Sequence, residues 1–537
     1  MQLFLVATLI LNIVSIEYTQ SSSLQQTSIN QFRANEIKNA FIYAFKGYKK
    51  YAWGHDELQP VTNTKSDNYN GWGVTIIDSL DTMIIMGINY NDSREFIKNL
   101  EFTPKGRGGS TKIKLFETVI RYLGGLLSAY ELTKDELFLN KSIKLGNVLL
   151  PAFDTPTGIP TEMVDLVKKK GVPGVSILAE IGTLQLEFRR LSELSKNPIY
   201  LKKAQKVIDI LQRKKTELPG LYPVFINPST GNFATSKTSQ YIDMWISAVK
   251  TTIEKLVYTA KNFPHLTYLA QWKNGKPYFE MGHLTCFAGG NFLLAGKFLN
   301  NTSLINLGRK VTATCYNTYI GTNTMIGPEV FGWISPNGVT SRKVDRKQKA
   351  MYKKHGFFVT DASYRLRPEV VESIFYAYRV TRDPKYQDWA WGIFKSINKF
   401  CKTSTGFSGL NNVTGLIRDW DNTQESFFLA ETLKYLYLTF SNTNLISLDE
   451  WVFNTEAHPL RIGVEELRKK DYLIEDNIVR SEPNEIELIK ENNNNINDFS
   501  SDSSSNTDNI DIDYMNEIDN LEINNNINNL DSIDDIY

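Results

Sequence analysis

The stretch Leu115–Leu132 (LFETVIRYLGGLLSAYEL) decides the fold class, because its apolar residues recur at helical spacing around much of the circumference. Four more stretches repeat this pattern: Gly73–Met86 (GVTIIDSLDTMIIM), Ile177–Leu194 (ILAEIGTLQLEFRRLSEL), Glu369–Val380 (EVVESIFYAYRV) and Glu425–Phe440 (ESFFLAETLKYLYLTF). Helices that are apolar on several sides must pack against neighbours on both sides. The sequence therefore predicts an all-α core, and a helical barrel satisfies this packing requirement.

Strand-like segments are few. One example is Tyr222–Ile226, which precedes a turn at Asn227–Gly231. We expect such segments to form hairpins between helices and not a central sheet.

Three regions are predicted along the 537 residues. No Pro/Gly/Ser-rich linker interrupts the chain between about Asn35 and Leu460, so residues 35–467 are predicted to form one helical domain. Residues 1–20 hold an apolar run at 3–15, which is typical of a signal-peptide core and short for a membrane span. A basic segment does not precede this run, so an uncleaved membrane anchor remains the alternative. Residues 468–537 are rich in Asn and Asp and are predicted to be a disordered tail.

The charge balance bears on the class of partner. The chain carries 60 Lys and Arg against 59 Asp and Glu, a formal charge of +1. This balance gives no reason to expect nucleic acid or an anionic membrane as the partner. We expect a neutral substrate.

Two of the three cysteines, Cys286 and Cys315, lie close enough in sequence to join neighbouring helices. We predict a disulfide between them and a free Cys401. Asn-X-Ser/Thr triplets, which are acceptors for N-glycans in the secretory pathway, give weak support to the same oxidising compartment. They begin at Asn91, Asn140, Asn300, Asn301 and Asn412.

A carboxylate and a guanidinium share one face of the predicted helix at Leu115–Leu132. Glu117 and Arg121 are four residues apart, and Gly124–Gly125 one turn later would let another backbone or a ligand approach closely. Such a pair, directed into a cavity, could bind hydroxyl groups and move a proton. An ordinary ion pair on the surface is the alternative interpretation.

A second acidic pair begins another predicted helix. Pro368 occupies a favourable first-turn position, and Glu369 and Glu372 share a face beside Arg367. Two acids so close together are costly in a dry core and useful in a wet pocket. Acids in a first turn also interact favourably with the helix dipole, so a purely structural role stays open.

Aromatic residues accompany the remaining candidate acids. Glu425 opens the predicted helix that carries Phe427 and Phe428, with Glu431 farther along, and the segment Val452–Leu460 (VFNTEAHPL) contains Thr455 and Glu456. Aromatic rings can cover the apolar face of a sugar while acids polarise its hydroxyls, and oxygen ligands of this kind suit Ca²⁺. The histidine of the same segment is more typical of a satisfied core histidine than of a metal ligand.

Taken together, these segments resemble the class I α1,2-mannosidases, glycoside hydrolase family 47. The resemblance extends in order from Tyr51 to Leu460 and is carried by the motifs YAWGHDELQPV, GWGVTIIDSLDTMIIMG, FETVIRYLGGLLSAYELT, AEIGTLQLEFRRLSEL, GPEV, LRPEVVESIFYAYRVT, DPKYQDWAW, ESFFLAETLKYLYL and VFNTEAHPL. It implies an (α/α)7 barrel plugged at one end by a hairpin near the C-terminus. It also implies inverting, Ca²⁺-dependent hydrolysis of terminal α1,2-linked mannose.

The resemblance assigns roles to individual residues. It implies that Glu117 protonates the leaving oxygen, that Glu329 in GPEV is a second acidic site residue, and that Glu369 activates water. It implies that Thr455 binds Ca²⁺ through its hydroxyl and carbonyl oxygens. The remaining residues are expected around the sugar, the metal's waters and the pocket wall: Arg121, Arg367, Glu372, Glu425, Phe428 and Glu456.

One loop departs from the family pattern. Where the family commonly has Asp-Ser-Tyr-Tyr-Glu-Tyr, this chain has Ser239-Gln-Tyr-Ile-Asp243-Met, and Lys237 replaces a residue that is often Arg. Asp243 matches the later Glu and is predicted to reach toward the same water as the missing Asp. The leading interpretation is an enzyme that trims high-mannose N-glycans in the endoplasmic reticulum or Golgi lumen, which the cysteine pair also favours. The alternatives are a catalytically weak, lectin-like glycan binder in glycoprotein quality control, or a helical scaffold without a glycan site.

Overall fold

The computed structural model describes residues 2–463 except 105–110, 215 and 232–240. Side chains are described from residue 26 onward, with the further exception of 241–243. The predicted tail at 468–537 and the departures at Lys237 and Ser239 therefore lie outside the described residues. Asp243 is described only as part of a helix backbone.

Helices form the body of this structure. In chain order they are α1 Gln2–Tyr51, α2 Val74–Asp78, α3 Leu80–Ile85, α4 Asn91–Asn99, α5 Leu115–Glu117, α6 Gly124–Thr133, α7 Glu136–Leu149, α8 Leu178–Ile181, α9 Gln185–Ser195, α10 Ile199–Leu211, α11 Tyr241–Lys255, α12 Phe287–Phe298, α13 Thr302–Ile320, α14 Arg346–His355, α15 Glu369–Thr381, α16 Lys385–Phe400 and α17 Leu433–Phe440. Two π-helical turns, Thr118–Leu123 and Phe428–Thr432, and two 3₁₀ turns, Leu150–Phe153 and His283–Cys286, continue or precede these helices. Within the described ranges, no helix is both long enough and apolar enough to cross a membrane.

The strands are short and pair into small antiparallel sheets of two or three strands. They are β1 Glu57–Gln59, β2 Thr64–Ser66, β3 Lys112–Lys114, β4 Met163–Asp165, β5 Lys170–Gly171, β6 Ser176–Ile177, β7 Phe225–Ile226, β8 Val257–Ala260, β9 Phe263–Leu269, β10 Gln271–Lys273, β11 Lys276–Tyr278, β12 Glu280–Gly282, β13 Val330–Gly332, β14 Phe358–Asp361, β15 Trp451–Phe453 and β16 Pro459–Arg461. Local hairpins form at β1–β2, β4–β5, β8–β9, β10–β11 and β15–β16, as the sequence predicts. Strands β3, β6 and β12 instead pair with strands about 50 residues further along the chain. The prediction for Tyr222–Ile226 is therefore wrong in its partner, because this segment forms β7 against β6 and not a hairpin at the Asn227–Gly231 turn.

Four of the predicted helices are interrupted, including Glu425–Phe440, which passes through the π-helical turn at Phe428–Thr432. The helix predicted at Gly73–Met86 divides at Ser79 into α2 and α3, and the one predicted at Ile177–Leu194 divides between α8 and α9. The stretch Leu115–Leu132 passes through the π-helical turn at Thr118–Leu123. Periodicity identifies the apolar faces correctly, but it does not locate these breaks.

The central packing joins helices distant in sequence. Helix α15 contacts α12, α13, α16 and α17, and α12 lies along α13. The predicted disulfide between Cys286 and Cys315 is present and connects the turn before α12 to α13. Cys401 is free and buried, as predicted.

The terminal hairpin of β15 and β16 packs on the pair of glycines in α6. A Cβ at Gly124 would lie 2.5 Å from Asn454 Nδ2, and one at Gly125 would lie 2.8 Å from Ile77 O. Any side chain would therefore push the hairpin or α2 away. The close approach predicted at these glycines is real, and its partners are protein elements.

Candidate active site

The predicted pair of Glu117 and Arg121 forms at the π-helical turn. Arg121 Nε donates a hydrogen bond of 2.8 Å to Glu117 Oε2. The side chain of Arg121 is only 7% exposed, whereas that of Glu117 is 26% exposed. The pair is therefore not an ordinary surface ion pair, because a buried guanidinium holds a carboxylate that remains accessible. π-Helical turns are often found at functional sites.

Aromatic rings enclose the guanidinium of Arg121. Its central carbon lies 4.5 Å from the ring centre of Tyr69 and 5.7 Å from that of Phe427. Nη1 donates to Ser426 Oγ at 3.1 Å and to the carboxylate of Glu456. These contacts fix the plane of the guanidinium and thereby the position of Glu117.

Glu369 is held by a different partner. Its Oε2 lies 2.8 Å from His283 Nδ1, and His283 Nε2 lies 2.6 Å from the hydroxyl of Tyr319. Burial alone would raise the pKa of Glu369, but the hydrogen bond and charge of His283, together with Arg367, lower it below its ordinary value. Glu369 is therefore a carboxylate at neutral pH, which is the form that a general base needs.

Glu329 and Arg367 form the third predicted group. Arg367 Nε donates to both oxygens of Glu329, at 2.7 and 2.9 Å, and the backbone N–H of Arg365 donates to Glu329 Oε1 at 3.2 Å. The guanidinium of Arg367 also lies 5.9 Å from the ring centre of Phe427. Phe427 thus stands beside both predicted site arginines.

Further buried carboxyls surround these pairs. Burial raises the pKa of Glu372 to about 8, and the negative charge of Glu369 adds to this rise. Burial likewise raises the pKa of Glu431 and of Glu456, with neighbouring carboxylates contributing to both shifts. Burial also raises the pKa of Glu425, although the positive charge of Arg121 opposes this rise. The site therefore concentrates more acidic than basic side chains.

The turn that carries Thr455 is rigidly held. Asn454 Oδ1 accepts the N–H groups of Glu456 and His458, at 3.0 and 2.8 Å, and Asn454 Nδ2 donates to Ile120 O at 2.9 Å. Thr455 itself is exposed, and its hydroxyl has no hydrogen-bond partner within the part of the chain that the structure describes. Its neighbour Glu456 is 2% exposed and belongs to the acidic cluster.

These residues fit a hard divalent cation. Thr455 offers a hydroxyl and a backbone oxygen, the type of ligand that Ca²⁺ prefers. A cation would also stabilise the anionic form of the nearby carboxyls, whose pKa values are raised by burial and by neighbouring carboxylates. Among the described residues, no three or more His, Cys, Asp or Glu side chains form a metal-binding group by themselves. The fit therefore depends on threonine oxygens and on water.

The prediction of Phe428 as a pocket residue is wrong by one position. Phe428 is completely buried, and its ring packs 4.9 Å from that of Phe407 in the core. Phe427 instead lies against the guanidinium groups of Arg121 and Arg367. A regular α-helix would place Phe428 on the face shared by Glu425 and Glu431, but a π-helical turn begins at this residue and changes the spacing.

Glu57 and His283 are absent from the sequence-based assignment of the site. Glu57 is 1% exposed and accepts the N–H of Ser426 at 3.1 Å, and burial together with the negative charge of Glu425 raises its pKa well above the ordinary value. His283 lies three residues before Cys286 in HLTCFAGG. A polar residue inside an apolar motif is the available signal for both.

A family comparison decides how this arrangement is classified. The model of glycosyl hydrolase family 47 matches residues 40–239 and 233–462, which include every described site residue. The chain belongs to glycosyl hydrolase family 47. A mannosyl-oligosaccharide alpha-1,2-mannosidase of Coccidioides posadasii is 39% identical over 511 residues, covering 85% of this chain and 96% of that protein. The mannosyl-oligosaccharide 1,2-alpha-mannosidase IA of Sus scrofa is 38% identical over 482 residues, covering 82% of this chain and 69% of that protein.

The structural comparison agrees with this family 47 assignment. The alpha-1,2-mannosidase from Trichoderma reesei superposes with a TM-score of 0.76 at 34% identity, covering 81% of this chain and 99% of that chain. The predicted (α/α)7 barrel is confirmed by this match. Membership of this family makes the chain a glycoside hydrolase. The comparisons therefore contradict the alternative of a helical scaffold without a glycan site.

Proposed function

We propose that this family 47 protein is a Ca²⁺-dependent, inverting α1,2-mannosidase that removes terminal mannose from high-mannose N-glycans. The observation that carries the proposal is the separate support of two carboxylates, Glu117 by Arg121 and Glu369 by His283, in one acidic cluster. The names of the relatives support the activity, since those proteins are mannosyl-oligosaccharide 1,2-alpha-mannosidases. The apolar run at 3–15 and the disulfide support a place in the secretory pathway.

The proposed chemistry assigns one task to each carboxyl. Glu117 gives its proton to the glycosidic oxygen as the bond from the mannose anomeric carbon to that oxygen breaks. Glu369 takes a proton from a water molecule whose oxygen forms the new bond to the anomeric carbon from the opposite face. The products are β-mannose and a shortened glycan; Glu369 then releases its proton to solvent and Glu117 takes one up, so both carboxyls regain their starting states.

The other residues orient the sugar and keep the acids in place. Arg121 and Arg367 donate to hydroxyls or to the acids beside them, and the ring of Phe427 offers an apolar surface between the two guanidinium groups. Ca²⁺ bound at Thr455 would supply charge stabilisation and a template for sugar hydroxyls. Glu372, Glu425 and Glu456 would face the waters of that ion.

The test is mannose release from a high-mannose N-glycan by the purified full chain. We expect release with Ca²⁺ and none with excess chelator, and we expect NMR to detect β-mannose before it equilibrates. Binding of the glycan without release would favour the lectin-like alternative. Release of α-mannose as the first product would contradict the inverting assignment.

The metal site has its own test in Thr455→Ala. We expect this variant to lose activity and to lose the rise in melting temperature that Ca²⁺ gives to the wild type, because a ligand that binds only the folded state stabilises it. Thr103→Ala, which changes an exposed threonine in a surface loop, should respond to Ca²⁺ as the wild type does. An unchanged Ca²⁺ response in Thr455→Ala would place the metal elsewhere.

A further inference from the structure

A histidine lies between two aspartates behind the candidate active site. The ring of His458 is fully buried, with Nδ1 2.8 Å from Asp81 Oδ2 and Nε2 3.1 Å from Asp78 Oδ1. The ring has room there because Gly124 and Gly125 lack side chains, and a Cβ on either would lie 2.9 or 3.3 Å from ring carbons. The histidine thus occupies a space built for it.

The contacts determine the charge of this ring. A carboxylate can only accept hydrogen bonds, so two carboxylates require a proton on each ring nitrogen. Asp81 is itself an anion, because Lys434 Nζ lies 2.8 Å from its Oδ1 and the pKa of Asp81 is about 2, against the opposing effect of burial. Hydrogen bonds and charge from His458 and Arg121 likewise hold the pKa of Asp78 below its ordinary value despite burial. Both carboxylates are therefore acceptors.

Asp78 connects His458 to the proposed proton donor, Glu117, through Ser426 and Arg121. The Oδ2 atom of Asp78 accepts the hydroxyl of Ser426 and lies 3.5 Å from Arg121 Nη1. Arg121 also bonds Ser426, and its Nε holds Glu117. One carboxylate therefore connects the histidine to the guanidinium that fixes Glu117.

We propose that His458 is a permanently charged imidazolium and acts as a positioning residue for Arg121 and Glu117. Its positive charge balances Asp78, so that Asp78 can support Arg121 without drawing it away from Glu117. Charged or titratable groups facing the ring are the two aspartates, Lys434 beyond Asp81, and the carboxyl of Glu187. The inference rests on the proposed role of Glu117 as the acid.

A neutral side chain at this position would change the balance. Asp78 would then face Arg121 with an uncompensated negative charge in a site from which water is excluded, where charge interactions are strong. The guanidinium would shift its bonding toward Asp78 and away from Glu117. Proton donation would weaken, while the other contacts to the sugar would remain.

The charge state can be measured directly on the wild type. Nitrogen NMR of the full chain labelled with ¹⁵N-histidine should show, for one of the five histidines, two protonated ring nitrogens throughout pH 6–8. His458→Gln assigns the signal by removing it. A deprotonated ring nitrogen at this residue at pH 7 would overturn the proposal. The NMR measurement does not require mannosidase activity, so it tests the charge of His458 even if the proposed function is wrong.

The positioning role is tested by a double-mutant cycle. We expect His458→Gln to lower kcat by about tenfold or more with KM within about twofold, and to have less than a twofold effect in a Glu117→Gln background. The same loss in both backgrounds would mean that His458 acts independently of Glu117, and would overturn the proposal. His265→Gln, which changes an exposed histidine on β9, is the matched control.

A milder variant covers the case in which His458→Gln does not fold. Ser426→Ala removes the hydroxyl that bridges Asp78 and Arg121 and leaves every charge in place. Its effect on kcat should also nearly vanish in the Glu117→Gln background. Either full activity of Ser426→Ala or the same loss of kcat in both backgrounds would refute the route through Asp78.

Discussion

A buried carboxyl on α9 gives the sharpest prediction of stability. Glu187 is 1% exposed, its Oε1 accepts a hydrogen bond of 2.8 Å from Asn454 Nδ2, and its Oε2 has no partner among the described residues. Burial raises its pKa to about 7 from an ordinary value of 4.5, although the bond from Asn454 opposes the rise. The folded protein therefore prefers the neutral carboxyl.

The sign and size of the effect follow from this shift. Between pH 4.5 and 7 the folded state keeps a proton that the unfolded state has lost, so the free energy of unfolding falls as the pH rises through this window. At 1.36 kcal/mol per pKa unit, a rise from 4.5 to about 7 corresponds to roughly 3 kcal/mol. The penalty is absent below pH 4.5 and complete above pH 7. Glu187→Gln removes it, since glutamine cannot ionise.

The measurement is the melting temperature of wild type and variant at pH 4.5 and pH 8. For a domain of about 430 residues, roughly 3 kcal/mol corresponds to roughly 3 °C. We expect the melting temperature of Glu187→Gln, relative to that of wild type, to be higher by about that much at pH 8 than at pH 4.5. Comparing the two pH values cancels the cost of the unpaired amide, which is the same at both. Glu254→Gln, which removes an exposed carboxylate on α11, controls for the change in net charge. An equal difference between wild type and variant at both pH values would refute the reasoning.

Three further predictions concern catalysis and packing. Glu117→Gln and Glu369→Gln should each lower mannose release by about 10² or more while glycan binding largely survives, and near-normal turnover would contradict the assigned role. Phe427→Leu should lower activity with little loss of stability, whereas Phe428→Leu should lower stability in thermal melting by about 1–2 kcal/mol with activity retained; the reverse pattern would restore Phe428 to the pocket. Replacing both disulfide cysteines with alanine should lower the free energy of unfolding by roughly 3–4 kcal/mol for a loop of 29 residues, and an unchanged denaturation midpoint would contradict this.

The helices and the disulfide could be predicted because they depend on local pattern. Apolar spacing identified α6, α9, α15 and α17, and short sequence separation favoured the pairing of Cys286 with Cys315. The π-helical turns could not be predicted in this way, because a single additional residue in a turn leaves the apolar composition unchanged. The error at Phe428 has this origin, since the turn begins at that residue.

The total charge of +1 conceals two regions of opposite net charge. From residue 471 to the end, the chain has 18 Asp and Glu and two Lys and Arg, so the preceding 470 residues have 58 basic and 41 acidic residues. The helical domain is therefore strongly basic, even though its site is acidic. A total charge averages over regions of opposite sign, and it predicts a partner only where charge is evenly distributed.

The terminal segment shows most clearly what remains hidden in sequence. Asn454, Glu456 and His458 are polar, yet each is at most 5% exposed, and each has a side-chain partner more than 260 positions away along the chain. Removing one charged member of such a buried set leaves an unpaired charge, which costs about 3–5 kcal/mol, whereas an apolar set of the same volume is often no less stable. Stability alone therefore does not explain why these residues are polar. Their contacts do explain this polarity. These contacts hold Arg121, the turn that carries Thr455, or a residue that bonds to one of them.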